Sequence, residues 1–110
     1  MHRLVIPLAM ALLAPLPAAG LCVANDTDVT LYFTVAAPDG VEARIGAYLE
    51  PGQELCLADT RSGVVAAFER DSSLEGCSRL ATGADRLKRF ARFDRCTWAS
   101  HQTDGSAAND

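Results

Sequence analysis

Two neighbouring tracts of strict alternation constrain this chain more than any other feature. Val29, Leu31, Phe33 and Val35 alternate with Thr30, Tyr32 and Thr34, and Val41, Ala43, Ile45, Ala47 and Leu49 alternate with Glu42, Arg44 and Tyr48. A period of two carried by β-branched and aromatic residues belongs to a strand with one buried face. Pro38-Asp39-Gly40 between the tracts is turn chemistry, so the pair predicts a hairpin. Glu50-Pro51-Gly52-Gln53 predicts the next turn, followed by a short strand over 55–57. Arg61-Ser62-Gly63 predicts another turn, followed by a strand over 64–68.

Beyond Arg70 the pattern weakens. Asp71-Ser72-Ser73 and Glu75-Gly76 read as loop, so residues 70–83 are expected to be irregular, with a strand end at 77–80 left open. Over 84–93, Leu87, Phe90 and Ala91 fall at helical spacing, whereas Leu87, Arg89, Ala91 and Phe93 fall on one face of a strand. Only Gly83 and Asp85 stand where a helix would need a cap, and Cys96-Thr97-Trp98 must run extended soon after. A strand is the preferred reading, and it would turn Arg89 inward. The expected fold is all-β: a small antiparallel β-sandwich or open barrel of five to seven short strands.

The first twenty residues read as an export signal rather than part of that fold. His2 and Arg3 provide the charged start, residues 4–13 are almost wholly apolar, and Ala18-Ala19-Gly20 is a small-x-small cleavage site, with the cut expected before Leu21. Pro15 and Pro17 interrupt the apolar run well short of the roughly 20 residues that span a bilayer. Leu21 stands where a lipidated Cys22 would normally follow a small residue, which argues against a lipid anchor. The expected organisation is a signal peptide over 1–20, one β domain over 21–100 and a polar, disordered tail over 101–110.

Export gives the cysteines their meaning. Cys22, Cys56, Cys77 and Cys96 form an even set in a remainder of 90 residues, whose core alone is small. No pair has Cys-x-x-Cys spacing, which disfavours a zinc knuckle or a redox motif. Three pairings are possible. Cys22 with Cys56 and Cys77 with Cys96 is preferred, because sequence-local bridges join neighbouring strands at little topological cost; a nested pairing stays open.

Cys22-Val23-Ala24-Asn25-x-Thr27, followed after the alternating tracts by Leu49-x-Pro51-Gly52-x-x-x-Cys56, resembles the pattern of small exported bacterial disulfide-bonded β-sandwich proteins of unassigned function. The resemblance covers about residues 22–58. It implies a fold and a compartment, periplasmic or extracellular, and no chemistry.

The chemical inventory is mostly negative. After cleavage the one histidine is His101, near the end of the chain, and no methionine remains, so nucleophilic triads and copper or zinc sites lack their usual groups. Asp26 and Asp28 lack the later ligands of a calcium loop. Asn25-Asp26-Thr27 is formally a glycosylation sequon. Glu50, Glu54, Asp59, Glu69, Asp71 and Glu75 supply carboxylates, but spacing selects no acid–base pair among them. No cofactor or metal is expected.

Charge is distributed unevenly. Without Arg3 the chain carries nine Lys and Arg against fourteen Asp and Glu, near −5, which argues against nucleic-acid binding. Six of the nine cations, Arg79, Arg86, Lys88, Arg89, Arg92 and Arg95, lie close together and are interleaved with Leu87, Phe90 and Phe93. Two uses fit: pairing with the acidic strands, or a binding face. The candidate binding residues are Arg86, Lys88, Arg89, Arg92 and Trp98, with Phe90 as a further apolar contact. On a strand, Arg86, Lys88, Phe90 and Arg92 would share one side. The expected function is an exported, non-catalytic interaction or envelope-associated module that binds a protein or an anionic polymer without stable membrane insertion. A secreted effector or enzyme inhibitor, acting through a fixed loop over 69–76 held by Cys77, and a small hydrolase are the rivals.

Overall fold

The computed structural model describes residues 20–39 and 43–101. It contains β1 (Gly20–Asn25), β2 (Leu31–Ala36), β3 (Arg44–Leu49), β4 (Glu54–Ala58), β5 (Ser62–Phe68), β6 (Gly76–Thr82), β7 (Ala84–Arg89), β8 (Thr97–Trp98) and a 3₁₀ turn over Ala99–His101. They form two four-stranded sheets, one ordered β4-β1-β7-β8 and the other β3-β2-β5-β6. The fold is all-β, as expected, and both disulfides take the preferred pairing, Cys22–Cys56 and Cys77–Cys96. Among the described residues, no helix is long and apolar enough to cross a membrane. The apolar segment over 4–13, the turn residues Gly40 to Glu42 and the tail over 102–110 lie outside the described residues.

The alternating tracts pair as expected. β2 and β3 are antiparallel from Leu31 opposite Leu49 to Ala36 opposite Arg44, and β2 also pairs with β5. Phe33, Val35, Val65 and Ala67 point inward from this sheet, and Leu21, Val23, Leu87 and Trp98 point inward from the other. Those two faces make one core. Val29 is exposed and the strand begins two residues later, at Leu31.

Three expectations need correction. First, the described residues hold eight strands where five to seven were expected, because residues 76–82, expected to be irregular, form an edge strand paired with β5 along its length. The signal was hidden because Arg79 faces in and Leu80 faces out, inverting the usual contrast between the two sides of a strand. Second, Arg89 is exposed. β7 shifts register between Leu87 and Arg89 against β8, which turns the side chain away from the core. Third, one of the six pairings is parallel, β1 with β7.

Asn25 explains why β1 ends where it does. Its side chain is fully buried and its amide nitrogen donates to the Val29 carbonyl at 2.9 Å and, across to the other sheet, to the Leu49 carbonyl at 2.8 Å. Its Oδ1 accepts from the backbone N–H of Thr27 at 2.9 Å and from the Thr27 hydroxyl at 2.7 Å. The backbone of Asn25 is held as well: Gly52 donates to its carbonyl at 2.7 Å, and its own N–H donates to Gln53 at 2.9 Å. Gly52 can do this because it sits at φ 92°, the left-handed position of the Pro51-Gly52 turn. The Asn-x-Thr and Leu-x-Pro-Gly segments thus form one hydrogen-bonded unit. With both amide hydrogens committed to the Val29 and Leu49 carbonyls, Asn25 of the sequon has a structural task.

Candidate functional site

After β6 the chain crosses from one sheet to the other at Gly83, which adopts φ 83°. The crossing is held by the N–H of Cys22 donating to the Gly83 carbonyl at 3.0 Å and by the Gly83 N–H donating to Arg61 at 2.8 Å. Just beyond it, Asp85 is buried on the inner side of β7. Its carboxylate accepts from the Arg86 N–H at 2.9 Å, the Ser100 N–H at 3.1 Å and the Ser100 hydroxyl at 2.6 Å, and lies 3.4 Å from Nε of Arg79 on the opposite sheet. Burial of a carboxylate is tolerated only with such partners. One Arg79 nitrogen, Nη1, is buried beside it without a hydrogen-bond partner.

The basic cluster therefore divides. Arg79 is committed to Asp85. Arg86 and Lys88 project outward from β7 and flank Asp26, at 3.9 and 3.1 Å. Arg89, Arg92 and Arg95 form no ion pair among the described residues. Arg86, Lys88, Phe90 and Arg92 do not share one side, because β7 ends at Arg89: Phe90 packs against the core and Arg92 belongs to the following turn. Trp98 is 2% exposed, so it presents no contact surface to a partner. It is a core residue because Leu87 lies opposite it on β7 and orients it inward.

What the structure brings together instead is a pair of loops. Residues 69–75 leave β5, and residues 90–96 leave β7; between them lies a cleft of about 470 Å³ lined by Glu69, Leu74, Glu75, Phe90, Arg92 and Phe93 among others. Cys77–Cys96 ties the bases of the two loops across the sheets, so this bridge joins opposite sheets rather than the neighbouring strands expected. The first loop is closed by Ser73 N–H donating to Arg70 at 3.0 Å and by the Arg70 N–H donating to the Ser73 hydroxyl at 3.2 Å. It is anchored to β3 through Tyr48, whose hydroxyl receives the Asp71 N–H at 2.9 Å and donates to the Asp71 carboxylate at 3.1 Å. The second loop is anchored by the Ser78 N–H donating to Asp94 at 3.2 Å.

On these fixed loops Leu74 is 97% exposed and Phe93 is 69% exposed. Phe93 and Asp94 both hold positive φ, 59° and 56°, a region that bulky residues rarely adopt. The sequence reading placed neither side chain on a surface. An isolated leucine inside Asp71-Ser72-Ser73-Leu74-Glu75 was the available signal, since an apolar residue in a polar turn has no strand face to bury it.

Fold and loops define a class: a two-sheet β-sandwich tied by two disulfides, with a pair of anchored apolar side chains at one end. Its bridges are compatible with an oxidising, exported compartment. Comparison with protein-family models, with curated proteins and with solved structures found no match to this chain.

Proposed function

We propose that this chain is an exported, non-catalytic interaction module that captures a protein partner with the loops around Leu74 and Phe93. The observation that carries the reading is the exposure of those two side chains on loops held by a disulfide and side-chain hydrogen bonds. Covering a large apolar side chain on association is worth about 1.5 to 3 kcal/mol, and a contact surface fixed before binding loses little entropy on association. The left-handed backbone at Phe93 adds support, since conformations of that kind persist where the surroundings hold them and cluster at working sites. Arg92 in the cleft wall, with Arg89 and Arg95 near it in sequence, supplies unpaired positive charge for an acidic rim on the partner. The tethered 69–75 loop also favours a narrower version of the reading, an effector or enzyme inhibitor whose partner accepts that loop.

The export half of the proposal rests on the residue 4–13 segment and Ala18-Ala19-Gly20, and intact mass of the secreted protein tests it. The test of binding is a pull-down from envelope extract comparing wild type, Leu74→Asp with Phe93→Asp, and the triple reversal Arg86→Glu, Lys88→Glu, Arg92→Glu. Loss of the same partner in the loop variant, at unchanged folding stability, is expected. Equal recovery by the loop variant removes the proposal, and loss only in the triple reversal transfers the site to the basic residues.

A further inference from the structure

The two disulfides differ in how they meet solvent, and the difference bears on the chemistry of one of them. Cys77 is in the core, 1% exposed, and Cys96 packs against it. Cys22 and Cys56 face each other directly on adjacent strands of one sheet; Cys22 is buried, 8% exposed, and Cys56 is exposed. Five register pairs hold β1 against β4, and β7 holds β1 from the other side. The backbone around Cys22 and Cys56 is thus fixed by ladder hydrogen bonds whether or not the sulfurs are bonded. Glu54 stands two residues before Cys56, on the same face of β4. The two sulfurs and a carboxylate oxygen of Glu54 lie within 4.8 Å of one another.

We propose that Cys22–Cys56 is a reducible bridge which, once opened, becomes a dithiol–carboxylate site for a thiophilic divalent cation of the zinc type. A thiol reductant gives two electrons and two protons to the S–S bond and is itself oxidised to a disulfide; Cys22 and Cys56 become thiols. Uptake of the cation forms two metal–thiolate bonds and releases the two thiol protons. A tetrahedral ion about 2.3 Å from sulfur and about 2.1 Å from oxygen sets the sulfurs roughly 3.8 Å apart and each sulfur roughly 3.5 Å from the oxygen. Water completes the fourth position on the exposed side. Disulfide and cation exclude each other, so the same three residues report the redox state of the surroundings as an empty or a filled site. Neither ligand spacing nor a Cys-x-x-Cys motif reveals this in the sequence, because the two cysteines are brought together only by strand pairing.

The full mature protein is treated with limiting phosphine reductant, alkylated and mapped by mass spectrometry while Trp98 fluorescence follows folding. A parallel reduced sample is titrated with cadmium chloride and read by its ultraviolet thiolate-to-metal charge-transfer band. Alkylation of Cys22 and Cys56 before Cys77 and Cys96, with Trp98 still buried, is expected. So is a saturable band whose affinity falls at least about tenfold in Glu54→Ala. Earlier opening of Cys77–Cys96, unfolding at the same reductant level, absence of the band, or equal affinity in Glu54→Ala each overturns the assignment. Leu74→Asp with Phe93→Asp leaves the cadmium titration unchanged, which keeps this test separate from that of the loop surface.

Discussion

Replacing Asp85 with alanine removes the acceptor for three hydrogen bonds and the counter-charge of Arg79 in one step. The side chain is 2% exposed, and its loss leaves the Ser100 N–H and hydroxyl and the Arg79 guanidinium without their acceptor. Breaking a buried ion pair from one side costs about 3 to 5 kcal/mol. The Arg79 side chain retains 24% exposure, which lets part of the guanidinium reach solvent and places the expected loss at the lower end, about 3 kcal/mol. Asp85→Asn keeps the shape and an oxygen for the two backbone donors but withdraws the charge, so a loss of about 1 to 2 kcal/mol is expected. Arg79→Met combined with Asp85→Leu removes both charges together but still takes the acceptor from the Arg86 and Ser100 donors, so it recovers only the charge part of the loss. The double variant should therefore be more stable than Asp85→Ala. Urea unfolding followed by Trp98, the single tryptophan and a core residue two positions before Ser100, measures all three. A loss below about 1 kcal/mol for Asp85→Ala at unchanged m-value refutes the view that this carboxylate clasps the two sheets.

Trp98→Ala should cost about 3 to 5 kcal/mol, as expected of a core residue; a variant of wild-type stability with altered partner binding would return Trp98 to the surface role. Loop entropy ranks Cys22–Cys56, with a separation of 34 residues, about 0.5 kcal/mol ahead of Cys77–Cys96, with 19. Cys77 is buried, however, so replacing Cys77 and Cys96 by alanine also opens a cavity and should be the more damaging pair in the same urea assay; the reverse order would count against it. Asn25→Asp sets a negative charge against the Val29 and Leu49 carbonyls and should cost about 3 kcal/mol, read as a drop in melting temperature. By the same geometry, expression in a glycosylating host should give no glycan on Asn25 of the folded protein, and a glycopeptide there would refute the structural role of its amide.

Much of the architecture was legible because it rests on local physics. Alternation at Leu31, Phe33 and Val35 and at Ile45, Ala47 and Leu49 sets which face is buried, and Pro51-Gly52 sets a turn. Four cysteines, an even set, are met by two bridges. The site was far less legible. Leu74 and Phe93 carry no periodic signature, and their exposure follows from anchors far off in sequence, Tyr48 for one loop and Ser78 for the other. The division of the basic run was illegible for the same reason: Asp26 and Asp85, which neutralise three of its members, are identified as partners only after β7 lies alongside β1 and across from β6.

By itself, then, the sequence determined strand propensity, turn positions, the even cysteine set and the sign and placement of charge, all of which depend on residues close together in the chain. The tertiary structure decided which strands share a sheet, that Arg79 faces in and Arg89 out, and that one disulfide joins sheets while the other joins adjacent strands of one sheet. It also decided which arginines remain free. These depend on pairing between segments far apart in the chain, where the burial of one residue is fixed by a neighbour that no local pattern encodes.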